Sequence, residues 1–381
     1  MQYRRLGSRV TEKISALGFG CMRFPTLGEN SEIDRSRADP MLKYAIDNGV
    51  NYIDTAWPYH GGESENMVGE VLAGGYREKV LLATKMPMWD VKESADLDRI
   101  FEEQLRKLQT DYIDLYLLHS LSRKSWQTVQ GVDAIAWGER LKEQGKIRYL
   151  GFSFHDDFSV FVEIIDGYDR WDFCQIQYNY MNETVQAGTA GLAYAAGKGI
   201  GAVIMEPLLG GGLATPADAV RTVLAGSDGG DERSPVEHAL RWLWDKEDVG
   251  TILSGMSTME QVVEDVEYAN RSSIGCLAEA ERPMFREAKT QFEALRPVPC
   301  TTCGYCVPCP QDVDIPGNFT ILNDRYMFGD EQEAIRRYNS GMGEEHRASA
   351  CTECGECEPK CPQQIPIIES LKQVCNELET A

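Results

Sequence analysis

An eight-stranded parallel α/β barrel followed by a small cysteine-rich domain is the fold this sequence predicts. Three observations carry that prediction. Eight short β-rich segments recur at near-regular intervals, amphipathic stretches separate them, and eight cysteines crowd into the last part of the chain.

The β-rich segments are Ile14–Gly20, Gly49–Thr55, Val80–Met86, Ile113–His119, Ile147–Ser153, Phe173–Asn179, Gly201–Pro207 and Gly250–Met256. Their starts lie 26 to 35 residues apart, and 49 before the last, room for a strand, a helix and a return turn. Between them, Asp98–Leu108 sets Ile100, Phe101, Leu105 and Leu108 near one helical face. Asn48-Gly49 and Gln144-Gly145 read as helix stops just ahead of strands. Eight such units predict a (β/α)8 TIM barrel over residues 1–290. A doubly wound open sheet is the alternative, but its glycine fingerprint before the first helix is missing. The lead-in Tyr3–Thr11 is expected to form a hairpin closing the barrel bottom.

Pro297, Pro299 and the first cysteine run mark a shift in composition, so residues 291–381 are expected to form a second, mainly helical domain. The whole chain of 381 residues carries 38 Lys and Arg against 60 Asp and Glu, a formal charge of −22. That excess of acid excludes nucleic acid as a partner, because a phosphate backbone needs clustered basic side chains. No apolar run reaches membrane-spanning length, and the start Met1-Gln-Tyr-Arg-Arg5 is not a signal peptide. A cytoplasmic location is expected, and in that reducing compartment clustered cysteines bind metal in preference to pairing. Cys21, Cys174, Cys276 and Cys375 lie outside the cluster and are expected to be small buried hydrophobes.

A barrel places reactive groups at the C-terminal ends of its strands. Those ends read Asp54, Lys85, His119, Ser153, Gln177 and Glu206, with Tyr59 five residues beyond Asp54. A phenol titrates near 10, too high for easy proton transfer at neutral pH. A neighbouring ammonium favours the phenolate, and a carboxylate behind the ammonium holds it in place. Tyr59, Lys85 and Asp54 therefore predict a general acid, with His119 as a hydrogen-bonding orienter of a substrate oxygen. Such an acid protonates a carbonyl oxygen while hydride reaches the carbon, and the hydride must come from a cofactor. Trp57, Trp89 and Trp126 are candidates for an aromatic pocket, or for ordinary packing.

On these residues the chain resembles the aldo-keto reductase family over about residues 1–290, through Asp54-Thr-Ala-Trp-Pro-Tyr59-His-Gly-Gly-Glu-Ser64-Glu65, Lys85, His119 and Gln144–Ser153. The resemblance implies the same four catalytic roles and reversible reduction of an aldehyde or ketone by NADP(H) or NAD(H). It also implies that Ser153 and Gln175 hold the nicotinamide, with Pro207, Leu208 and Gly210 over the pyrophosphate. Gly255, Ser257, Gln261 and Asp265 fall in the region that receives the far end of the dinucleotide. Three departures stand out: Phe154 replaces the usual Asn, Met205 the usual aromatic residue, and acids at Glu260, Glu264 and Asp265 replace a basic grip on a 2′-phosphate. The last of these favours NADH alongside or in place of NADPH.

The second domain holds Cys300-x2-Cys303-x2-Cys306-x2-Cys309-Pro and Cys351-x2-Cys354-x2-Cys357-x3-Cys361-Pro. The latter has the spacing of a bacterial ferredoxin, whose fourth cysteine ligates the other cluster. Two [4Fe-4S] clusters are predicted, one on Cys300, Cys303, Cys306 and Cys361 and one on Cys351, Cys354, Cys357 and Cys309. Zinc, usually held by separated cysteine pairs, is the alternative. The long insert between the runs resembles the α-helical ferredoxins, with helices expected at Asp330–Tyr338 and Ile367–Leu378. Residues 300–381 are more acidic than the remainder, which suits a basic redox partner protein or a merely solvated face. Beside a nicotinamide-dependent reductase stands a second reading, in which the clusters feed a flavin at the barrel mouth. A third, a redox-sensing binding protein without catalysis, is disfavoured by the complete Asp54, Tyr59, Lys85 and His119 set.

Overall fold

A computed structural model describes residues 1–28, 32–226 and 233–379. Two compact units form, one from Met1–Leu209 with Glu237–Ala278 and one from Gly210–Val236 with Glu279–Ala381.

The first unit opens with a hairpin of β1 (Tyr3–Arg5) and β2 (Lys13–Ser15); a hairpin is found where the lead-in suggests one, but its second strand lies beyond Thr11. Eight parallel strands follow: β3 (Leu17–Gly20), β4 (Tyr52–Asp54), β5 (Leu81–Pro87), β6 (Ile113–Leu121), β7 (Ile147–Phe154), β8 (Phe173–Gln177), β9 (Gly201–Met205) and β10 (Val249–Ser254). They close into a barrel in sequence order, with β10 pairing β3 through Ile252 and Leu17. All eight expected strands are present. The first is divided, because the Ala16 amide donates to Gln2 and Ser15 pairs with Tyr3 in the hairpin. Only from Leu17 does the chain join the barrel.

Alternation of side chains along each strand fills the barrel and sets up its mouth. Leu81 and Ala83 of β5, Leu115 and Leu117 of β6, Tyr52 of β4, Phe173 of β8, Val203 of β9 and Leu253 of β10 form the interior cluster. Leu6, Val10 and Ile14 of the hairpin region join it from below. Two residues further along the same inward series stand Asp54, Lys85, His119 and Gln175.

The helices stop where the sequence suggests. Arg35–Asp47 is capped by Asn48, and Ala134–Glu143 by Gln144. The predicted amphipathic helix extends over Ser94–Leu108 and buries Ile100, Phe101, Leu105 and Leu108. Gln104 lies buried among them. Helix Ser64–Leu72 packs against this helix at Gly69, where a Cβ would stand 2.4 Å from the Lys107 carbonyl oxygen.

The second unit contains helices Asp218–Leu224, Arg282–Ala294, Ile315–Phe328, Glu331–Gly341 and Ile367–Leu378. The two helices expected there are found, the first extended to Gly341. Ile315–Phe328, started by the Asp314 cap and Pro316, is additional. Phe319, Leu322, Tyr338, Ile367, Leu371 and Val374 share one small apolar core. Among the described residues no helix is long and apolar enough to cross a membrane.

Gly69→Ala should cost about 1–3 kcal/mol by forcing the two helices apart. A lower urea midpoint with unchanged slope would record it.

Candidate active site and cysteine cavities

Lys85 lies at the centre of the barrel mouth, with 1 % of its surface exposed. Its Nζ donates to Asp54 Oδ1 at 2.5 Å, to the Thr55 carbonyl oxygen at 2.8 Å and to Tyr59 Oη at 3.4 Å. Gln175 Nε2 donates to Asp54 Oδ2 at 3.3 Å, so the carboxylate is engaged on both oxygens. Gln175 makes this bond, two residues before the strand-end Gln177. Burial opposes a charge on Lys85, but Asp54 and Tyr59 beside it override this and raise its pKa. The ammonium is the stable form.

Tyr59 differs from the simplest sequence expectation. Lys85 draws the phenol pKa down, yet burial, with the charge of Asp54, outweighs it and the pKa rises above the ordinary value. Tyr59 is therefore held protonated. His119 faces it edge-on, with ring centroids 6.2 Å apart. Burial, reinforced by Lys85 and His155, pushes the His119 pKa well below the usual imidazole range, so the ring is neutral. Its Nδ1 is buried without a hydrogen-bond partner.

Trp89 lies beside His119 at 4.9 Å between centroids and is 53 % exposed. Trp126 does not join it. That ring is buried against Trp171, with centroids 6.4 Å apart.

The donors and acceptors around the four residues suit a nicotinamide. Gln175 Oε1 is buried with no hydrogen-bond partner, ready for an amide N–H. Ser153 Oγ accepts from the Ser120 amide at 2.7 Å, leaving its own proton to donate. A carboxamide requires one acceptor and one donor of this kind. Phe154 is fully buried and packs on Phe161 at 5.0 Å. Met205 ends β9 half-buried. Pro207 and Leu208 follow it in the first unit, and Gly210 (φ 67°) opens the second.

Beyond β10, Gly255 is exposed and Arg23 lies alongside it, 3.0 Å from where a Cβ would be. Ser257 Oγ donates to the Arg23 carbonyl oxygen at 2.8 Å, and the Ser257 amide donates to Gln261 Oε1 at 2.7 Å. Gln261 is itself exposed, whereas Asp265 is buried and accepts from Ser254 Oγ at 2.6 Å. Sequence reasoning passed over Arg23, which no local motif marks. It also passed over Gln104 and Lys107, although a glutamine within an apolar helical stripe is a legible signal.

The eight clustered cysteines gather around two cavities in the second unit. One is lined by Cys300, Cys303, Cys306 and Cys361, the other by Cys309, Cys351, Cys354 and Cys357, with Cys306 at its edge. Burial raises the Cys306 thiol pKa, and Cys300, Cys303 and Cys361 add to the rise. At Cys357, burial acts first, with Glu358, Cys351 and Cys309 adding to it. Cys361 thus lies with the first run and Cys309 with the second. Among the described residues, no three His, Cys, Asp or Glu side chains converge closely enough to hold a single ion. The cysteines that line each cavity are a donor set that fits a cubane. Of the remaining cysteines, Cys21 and Cys174 are buried as expected, but Cys276 and Cys375 are only half-buried.

Burial lifts the Asp265 pKa to about 7, with Glu264 adding to it against the Ser254 hydrogen bond. A raised carboxyl pKa gives stability that is complete below the unfolded value and lost as pH rises through the folded one. Asp265→Asn should therefore gain stability relative to the parent between about pH 4 and pH 8, read as the difference in urea midpoints.

Comparison with known proteins agrees with this geometry. Residues 16–274 match the model of the aldo/keto reductase family, and residues 299–365 match that of a 4Fe-4S dicluster domain. Protein tas of Escherichia coli is 33% identical over 229 residues, which are 50% of this chain and 64% of that protein. The uncharacterized oxidoreductase YqkF of Bacillus subtilis is 33% identical over 165 residues, 40% of this chain and 49% of that one. The chain thus spans about half to two-thirds of the length of these relatives. Among solved structures, the holo form of an aldo-keto reductase from Bacillus halodurans superposes with a TM-score of 0.61 at 26% identity, covering 76% of this chain and 96% of that one. An aldo-keto reductase from Klebsiella pneumoniae, in complex with NADP and acetate, gives 0.58 at 25% identity, covering 74% and 93%. The chain belongs to the aldo/keto reductase family and carries a C-terminal 4Fe-4S dicluster domain.

Proposed function

We propose that this protein is a carbonyl reductase, or in reverse an alcohol dehydrogenase, using a nicotinamide cofactor, with Tyr59 as the proton donor and two [4Fe-4S] clusters in the second unit. The carrying observation is Lys85 Nζ lying between Asp54 Oδ1 (2.5 Å) and Tyr59 Oη (3.4 Å) beside a neutral His119.

Ser153 and the free Oε1 of Gln175 would hold the carboxamide of the nicotinamide. A bound reduced nicotinamide supplies hydride to the carbonyl carbon. His119, being neutral, keeps an N–H to donate to the carbonyl oxygen and orients it without competing as an acid. As the carbon–oxygen π pair moves onto oxygen, Tyr59 Oη gives its proton to that oxygen. The phenolate left behind faces the Lys85 ammonium, which stabilises charge that appears only as the reaction proceeds, while Asp54 holds the ammonium in place. Run backwards, the same phenolate accepts the alcohol proton.

In the second unit, the exchanged sets of four thiols would each hold one cluster, and a [4Fe-4S] cluster exchanges single electrons. Thr301, Gly304, Phe319 and Ile365 wall the first cavity, while Glu356 and Lys360 line the second.

Tyr59→Phe should abolish reduction of a test aldehyde while dinucleotide binding, followed by fluorescence, stays unchanged. Reduction at the parent rate would remove Tyr59 from the mechanism. Because the phenol must be protonated and its pKa is raised above 10 by burial, the reduction rate should stay level through neutral pH and fall only on the alkaline side. Anaerobically purified protein should contain roughly eight irons per chain, and an iron-free protein would overturn the cluster reading.

A further inference from the structure

The turn carrying Tyr59 has an unusual backbone. His60 has φ 52° and ψ 46°, followed by Gly61 at φ 63° and Gly62 at φ 94°. Glycine takes such angles freely, and histidine enters this left-handed region more readily than most side chains but at some cost. The turn's own bonds are short-range, Tyr59 N–H to the Ala56 carbonyl at 3.1 Å and Glu63 N–H to that of His60 at 3.2 Å. From β5, Lys85 Nζ reaches the Tyr59 hydroxyl at 3.4 Å, a contact to the side chain and not to the backbone of the turn.

Lys107, from helix Ser94–Leu108, adds a contact to the backbone of the turn itself. Its Nζ donates to the Gly62 carbonyl oxygen at 3.2 Å and lies 4.1 Å above the Trp57 ring. One ammonium thus grips the chain on both sides of Tyr59. The side chain is 12 % exposed, and its counter-charge is Glu65 Oε2 at 3.7 Å. Glu65 is fully buried, and its Oε1 accepts from Thr84 Oγ1 at 2.7 Å and Gln104 Nε2 at 2.8 Å. Gln104 Nε2 also donates to the Lys85 carbonyl oxygen at 2.9 Å. The proton donor and the lysine beneath it are therefore held in register from one buried carboxylate.

We propose that Lys107, anchored by Glu65, is a positioning residue that fixes the Tyr59 turn against Lys85; its consequence for catalysis rests on the carbonyl-reductase reading above. Neither residue touches substrate, and both act through the place they give to Tyr59.

The test uses the full chain. Lys107→Met keeps an aliphatic stem over Trp57 and removes the donor and the charge. Loss of one such bond should speed amide hydrogen exchange across residues 59–63 about ten-fold, with the β5 and β6 segments unchanged. The same variant should lower kcat for aldehyde reduction about ten-fold at unchanged KM, and shift the alkaline limb of the pH profile. Glu65→Gln retains an acceptor for Thr84 and Gln104 but removes the counter-charge, so it should loosen the same segment. The double variant should equal Lys107→Met alone, because the two act as one unit. Lys107→Arg should restore both readouts. Unchanged exchange at residues 59–63 in both single variants would overturn the proposal, as would a uniform rise across the barrel. Should Tyr59→Phe remain fully active, the reductase reading fails, while the exchange measurement still decides the place of Lys107.

Discussion

A buried ammonium shared among a carboxylate, a carbonyl oxygen and a phenol is the constraint around which this barrel mouth is built. Lys85 is removed from water, and such burial is costly unless every proton finds an acceptor. Asp54, the Thr55 carbonyl oxygen and Tyr59 provide those acceptors. Their requirement fixes the ends of β4 and β5 to one another and brings Tyr59 in from the loop beyond. Gln175 completes the set from the far side of the barrel by occupying the second oxygen of Asp54. Removal of any one member would leave a charge or a buried polar group without compensation.

The barrel makes this constraint easy to satisfy. Inward-facing positions alternate along parallel strands, so the residue after the last interior apolar one faces the mouth without any special turn. Lys85 follows Ala83, His119 follows Leu117, and Gln175 follows Phe173 in this way. Tyr59 is the exception. It comes from a left-handed turn outside the strands, whose backbone at Gly62 accepts from Lys107 of helix Ser94–Leu108.

In the second unit, a small apolar core serves a different end. Around Phe319, Leu371 and Val374 gather the other buried residues of this core, and Cys300, Cys306, Cys309, Cys351, Cys357 and Cys361 all pack against it. Asn323 exchanges hydrogen bonds with both backbone groups of Val298, two residues before the first cysteine. Tyr338 Oη accepts from the Ala348 amide shortly before the second run. Helices thereby hold two loops whose own residues, rich in Gly and Pro, have little preference for one shape.

Local signals in the sequence were strong where chemistry is carried by periodicity or spacing. Eight β-rich runs, helix stops at Asn48 and Gln144, the strand-end Asp54, Lys85 and His119, and two cysteine runs were all legible, because each depends on neighbours a few residues away. The division of the first strand at Ala16 was not, since it follows from a bond to Gln2 across the hairpin. Nor was the rise in the Tyr59 pKa, because the balance of burial against the Lys85 charge depends on how much chain closes over the ring. Asp265 turned inward to Ser254, and Gln104 and Lys107 reached across from a helix, by contacts between residues far apart in the chain. The sequence by itself determined most of the elements and which side chains are chemically suited to give up a proton or, as thiolates, to ligate iron. Tertiary structure alone decided their protonation and mutual placement, because those depend on desolvation and long-range contacts that exist only once the barrel has closed.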